Sequence, residues 1–229
     1  MAVFILVPVI APSIGQVILI FFNWEAIFWM FLITALLVCI WFSIRLDETL
    51  LPESRQPLSF RKIRNGMIEV LKTRTALGYT LATGFLFSPF VGYLSSSQQI
   101  FADGYGKKDE FPLLFASLAL TFGVASLVNA RLVYRYGLKR LCFASVSVIT
   151  GLSSIFLLGI LGMDKMPPLW LFMGYMMIIF PGIGFLFGNL NALAMEPLGH
   201  IAGVGAAMIG SLSSLISIPL GILIAGAFN

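Results

Sequence analysis

Charge is the scarcest property of this sequence. Only 10% of its 229 residues are Asp, Glu, Lys or Arg, against about a quarter in soluble globular domains. There is one histidine, His200, and there are two cysteines, Cys39 and Cys142. The cysteines lie in or at the ends of apolar stretches, far apart and without metal-ligand spacing, so both read as small apolar packing residues. The chain has no H-E-x-x-H, no G-x-S-x-G and no paired acids. Chemistry inside a bilayer would be marked by ionisable groups, which are costly to bury there. Glu25 falls in a turn, Glu69 in a polar loop, and Glu196 and His200 between two apolar stretches, so no carboxylate is placed at mid-membrane. These shortages argue against an enzyme and give no reason to expect a metal or cofactor.

What the chain has instead is apolar length. Hydrophobic residues make up 59% and mean hydropathy is +0.99, and a spanning helix needs roughly 20 apolar residues to cross about 30 Å of hydrocarbon. Seven such stretches can be counted, at about 2–21, 26–44, 76–100, 113–133, 141–162, 169–193 and 201–227. The expected fold is all-α, a polytopic membrane helical bundle. Trp24, Trp29 and Trp41 near the ends of the second span suit interfacial belts.

The longest break is the polar stretch from Arg45 to Thr75. It contains Arg45, Arg55, Arg61, Lys62, Arg64, Lys72 and Arg74, seven of the fourteen basic residues. Four more, Arg131, Arg135, Lys139 and Arg140, close the fourth span. Basic loops stay in the cytoplasm, so loops 45–75 and 131–140 are assigned there, with the first residues cytoplasmic and the last outside. The net charge of +4 is therefore a topology signal, and no nucleic-acid partner is expected.

Small residues mark helix contacts. Gly84, Ser88, Gly92 and Ser96 share one stripe of the third span. The last span carries two, one of Gly199, Gly203, Ala207 and Ser211 and one of Ser213, Ser217, Gly221 and Ala225, which predicts two helix partners. Pro181-Gly182-Ile183-Gly184 predicts a break in the sixth span. Ser95 to Gln99 suits either a pore-facing surface or the interface. Glu196 and His200 could form a pH-sensitive pair, although a loop or helix-cap role suits His200 as well.

Four local patterns resemble a known family. Pro8-Val9-Ile10-Ala11-Pro12-Ser13-Ile14-Gly15-Gln16 resembles the Gly-Pro-x-x-Gly-Gly antiporter motif, with Ala11 and Gln16 replacing its first and last glycines. Asn23-Trp24-Glu25-Ala26-Ile27-Phe28 is similar to a Trp-Arg-x-x-Phe turn, and Leu46-Asp47-Glu48-Thr49-Leu50 to a Glu-Thr-Leu motif. The run from Ala130 to Arg140 resembles the loop motif G-x-L-x-D-R-x-G-R-K. It keeps Leu132, Arg135, Gly137 and Lys139, followed by Arg140, with Tyr134 where the acid would stand. In this order the motifs resemble the major facilitator superfamily, in particular the drug:proton antiporter group with the bicyclomycin-resistance (Bcr/CflA-type) efflux transporters.

The resemblance implies a fragment covering about the fifth to the eleventh of twelve transmembrane helices. Residues 1–44 would be the last two helices of an N-terminal six-helix bundle, 45–75 the cytoplasmic central loop, and 76–229 a C-terminal bundle without its last helix. It implies proton-coupled efflux of drugs or other small amphipathic molecules by alternating access in the inner membrane. The partners would be the lipid bilayer, a substrate, protons and the helices needed for activity that this chain does not carry. Pro12 and Gly15 would form a hinge between bundles, and the basic residues of the loop motif would hold helix C-terminal carbonyls. Candidate substrate-facing residues are Gln16, Tyr79, Tyr93, Ser96, Gln99, Asn189 and Asn191, each of which could equally hydrogen-bond between helices. A complete seven-helix receptor or sensor is the competing reading.

Overall fold

Backbone groups in hydrocarbon must be satisfied within the segment, which restricts spanning structure to helices or closed barrels. The computed structural model describes residues 14–15, 17–46, 59–163 and 166–227, and among these no strand occurs. A helical segment, α1, covers residues 17–21. It is followed by α2 (Glu25–Arg45), α3 (Phe60–Lys72), α4 (Arg74–Gln99) with a π-helical extension Ile100–Gly104, α5 (Phe111–Tyr136) and α6 (Leu138–Ile160). The chain continues through α7 (Leu169–Met195), a 3-10 turn Glu196–Ile201, and α8 (Ala202–Gly226). Among the described residues five continuous helical stretches are long and apolar enough to cross a membrane, and the last, Leu169–Gly226, contains both α7 and α8. Six of the seven expected spans are thus described as helices, while most of the first lies outside the described residues.

Pairs of touching residues give the helix directions. Ser213 Oγ donates to the Thr80 carbonyl at 3.2 Å, and the Cα-side faces of Gly84 and Gly92 meet Ile216 and Ile224, so α4 and α8 run parallel. Phe87 meets Phe187 and Phe90 meets Phe180, so α4 and α7 run antiparallel. Gly184 lies on Phe122 and Asn129 on Asn189, making α5 and α7 parallel. Ser153 meets Tyr175 and Gly182 meets Ile149, making α6 antiparallel to α7. This is the alternation expected of successive crossings. It brings Arg74, the 136–140 turn and the 196–201 turn to one end. At the other end Tyr105 donates its hydroxyl to the Pro167 carbonyl at 2.9 Å, and burial pushes that phenol above its ordinary pKa, keeping it a donor.

The hub is α7, which packs against α4, α5 and α6. Its Pro181-Gly182-Ile183-Gly184 run does not break it: α7 is continuous through Pro181, as α4 is through Pro89 and α8 through Pro219. Proline is tolerated where surrounding helices and local adjustment re-satisfy the freed carbonyl. The two glycines serve approach on opposite sides. A Cβ at Gly182 would sit 3.0 Å from Ile149 Cδ1 of α6, and one at Gly184 would sit 3.3 Å from the Phe122 carbonyl oxygen of α5.

The stripe of Gly84, Ser88, Gly92 and Ser96 is buried and meets α8, where a Cβ on Gly221 would lie 2.6 Å from Val91 Cγ1. Of the two stripes on α8, the one with Ser217 and Gly221 has this partner. The other, Gly203, Ala207 and Ser211, is exposed among the described residues, as is Gly199 in the preceding turn. α4 therefore covers one stripe of α8, and α3 and α7 make smaller contacts with α8, while the Gly203 stripe stays uncovered among the described residues.

The stretch 45–75 also holds more than a loop. Phe60, Ile63, Met67, Val70 and Leu71 recur at helical spacing, and α3 forms there as a strongly amphipathic helix. It packs on α4 and α8, with Val70 fully buried.

Candidate functional site

Where α4, α7 and α8 meet near their middles, they leave a groove of about 280 Å³. Residues four apart fall on one helical face, and this places Thr83, Phe87 and Val91 of α4 along one wall. Phe187 and Asn191 of α7 form the second, and Gly210, Ser213, Ser214, Ser217 and Ile218 of α8 the third. Among the described residues no ionisable side chain lines it. Phe87 and Phe187 pack at 4.6 Å with their planes tilted 32° apart, giving an aromatic apolar edge.

The polar groups divide by what they already bond. Thr83 donates back to the Tyr79 carbonyl at 2.8 Å, Ser213 is spent on Thr80, and the Asn191 amide donates to the Phe187 carbonyl at 2.8 Å. The Ser214 and Ser217 hydroxyls have no protein partner among the described residues, and Ser217 is only 6% exposed. An unpaired hydroxyl in an apolar wall is unfavourable unless water or a ligand meets it. Such a groove can hold the apolar or aromatic body of a small uncharged or amphipathic molecule and orient its polar atoms.

The sequence candidates distribute unevenly around this groove. Asn191 lines it. Asn189 does not: it is 2% exposed, and its amide exchanges two hydrogen bonds of 2.9 Å with Asn129 of α5. Tyr79 is packed between the clusters around Leu198 and Leu190. Tyr93, 5% exposed, stacks on Phe115 and meets Phe180 edge-on, with its hydroxyl unpartnered among the described residues. Ser96 is buried and donates to the Gly92 carbonyl at 2.9 Å, while Gln99 is exposed at the end of α4. Gln16 and Pro12 lie outside the described residues. Among the described residues, Gly15 has open space where a Cβ would be and borders a cleft with Gln98 and Asp109.

The proposed Glu196–His200 pair is replaced by another. His200 Nε2 lies 2.7 Å from Glu69 Oε1 of α3, because Val70 and Gly66 seat α3 against the start of α8 and carry Glu69 to the 196–201 turn. In the loop motif Leu132 is half-buried. Gly137 takes φ +79° and makes the α5–α6 connection a single residue, a conformation that favours glycine. Arg135 sits in the last turn of α5, over the Tyr136 ring at 5.4 Å. Lys139 and Arg140 are exposed in the first turn of α6 and border a shallow cleft with Tyr136 at the end of α5 and with Leu193 and Glu196 at the end of α7.

Sequence reasoning missed Thr83, Phe87, Phe187 and Ser214 altogether. Their signal was the i,i+4 spacing of Thr83 with Phe87 and of Phe187 with Asn191, obscured because every neighbouring face is apolar too.

An all-helical bundle with several helices long and apolar enough to cross a membrane defines a polytopic membrane protein. The chain belongs to the Major Facilitator Superfamily, whose family model matches residues 1–221. It is 30% identical over 213 residues to YdgK of Bacillus subtilis (strain 168), described as an MFS-type transporter, covering 91% of this chain and 52% of that protein. It is 28% identical over 226 residues to a bicyclomycin resistance protein homolog of Haemophilus influenzae, covering 97% of this chain and 56% of that one. The chain spans about half the length of the curated relatives it matches. No solved structure matches it significantly. This membership favours a transporter over both the seven-helix receptor and an enzyme.

Proposed function

We propose that this chain forms part of a transporter that exports drugs or other small amphipathic molecules across the inner membrane by alternating access, coupled to protons. The groove between α4, α7 and α8 is the C-terminal wall of the substrate path. The observation that carries this is the groove itself, in which the Ser214 and Ser217 hydroxyls, without a protein partner among the described residues, lie with the Phe87–Phe187 pair. Residues 1–44 belong to an N-terminal bundle, 45–75 to the cytoplasmic connector and 76–229 to a C-terminal bundle. The 131–140 turn lies on the cytoplasmic side with the connector. The opposite wall and the proton-carrying acids come from helices outside this chain, in keeping with a groove that has no ionisable lining among the described residues. The name of the Haemophilus influenzae relative suggests bicyclomycin as the first compound to try.

The test is a chimera in which residues 1–227 replace the matching region of that relative, expressed in an efflux-deficient bacterium. Lowered bicyclomycin accumulation is expected for the chimera and not for the chain alone. Phe187→Ala with Asn191→Leu should abolish the effect without changing membrane abundance. A chimera that exports equally well with and without the double substitution sinks the groove assignment.

A further inference from the structure

We propose that α3 is a membrane-surface clamp whose outward half binds anionic lipid headgroups at the basic end of the bundle. Its inward stripe is Ile63, Gly66 and Val70. Val70 is fully buried, and the open side of Gly66 meets Val204 Cγ1 at 3.1 Å. This packing uses only part of the apolar arc. At 100° per residue, Met67, Phe60, Leu71 and Ile68 continue it away from the bundle, and they remain 40%, 84%, 45% and 41% exposed.

The charge on the same outward half is almost all positive. Arg61, Arg64 and Lys72, with Arg74 just beyond, make no ion pair among the described residues. The acid of α3, Glu69, is engaged by His200 at 2.7 Å. A helix with exposed Phe, Met, Ile and Leu beside Arg and Lys fits the boundary between acyl chains and headgroups. Anionic lipid attracts each basic residue held near its surface. The helix is also in the right place: Lys72 is two residues from Arg74, where α4 begins, and α3 seats on the first turn of α8. Its exposed apolar side is therefore continuous with the end at which two spanning helices enter the bilayer. An acidic protein partner would satisfy the cations but would leave unexplained why the apolar arc runs on toward the spans.

The full chain is reconstituted in lipid nanodiscs of phosphatidylcholine alone and with added phosphatidylglycerol, and amide hydrogen exchange is followed over residues 60–72. Exchange slower on the order of tenfold is expected in the anionic discs, with the difference lost in high salt. It should also be lost in the variant Arg61→Gln, Arg64→Gln, Lys72→Gln, which leaves Gly66 and Val70 in place. As a check on folding, residues 74–99 of that variant should exchange as in the unaltered chain. Equal exchange in both discs overturns the proposal. So does protection that survives the triple substitution, or that glycerol phosphate in solution or an added acidic peptide reproduces in neutral discs.

Discussion

Helices α2 and α7 are both apolar nearly all round, yet α2 has no buried residue while α7 has nine. The two also differ in small residues and amides. Between Glu25 and Arg45 there is no glycine, and the polar side chains Thr34 and Ser43 bond back to their own helix at Met30 and Cys39. Between Leu169 and Met195, Gly182 and Gly184 admit α6 and α5, and Asn189 reaches across to Asn129. Lipid is as apolar as leucine, so apolar character brings a helix into the bilayer while close packing and interhelical hydrogen bonds choose its neighbours. Under the proposed function, the bare faces of α2 meet helices outside this chain.

The largest test of this contrast is overpacking. Gly221→Val puts a side chain where a bare Cβ already lies 2.6 Å from Val91 Cγ1 and 3.0 Å from the Gly92 nitrogen. It should cost about 3 kcal/mol in detergent-titrated unfolding in bicelles, whereas Ala35→Val on α2 should be silent. Next comes the amide pair: Asn189→Leu leaves Asn129 unpaired and should cost ~1–2 kcal/mol, while Thr34→Val on α2 changes little. Gly182→Ala presses on the flexible tip of Ile149, so a loss of about 0.5–1 kcal/mol is expected, relieved by adding Ile149→Val. The smallest effect belongs to the exposed Glu69–His200 pair, where His200→Ala should cost no more than ~1 kcal/mol.

The all-helical membrane fold was legible because 20-residue apolar runs and basic loops have one reading. The α4 stripe was legible for a similar reason, since Gly84, Ser88, Gly92 and Ser96 leave no other side chains to pack with. The continuity of α7 was not, because whether proline breaks a membrane helix depends on the neighbours that rescue its carbonyl. Nor were the polar roles. Asn189 and Asn191 are two residues apart, which on a helix turns them about 200° from one another, one into the α5 interface and the other into the groove. Composition could not say which. The Glu196–His200 pairing failed because Glu69, 131 residues away, is delivered by a helix hidden within a charged loop.

The measurement closest to the central claim is thiol labelling in intact membranes. With Cys39→Ser and Cys142→Ser as background, Ser214→Cys places a thiol in the groove, and Leu215→Cys places one on the outward side of α8, where Leu215 is 70% exposed. In the chimera described above, Ser214→Cys should react with a water-soluble maleimide and be protected by an exported compound, while Leu215→Cys, facing lipid, stays unlabelled. Labelling of Leu215→Cys with silence at Ser214→Cys would contradict a substrate path between α4, α7 and α8.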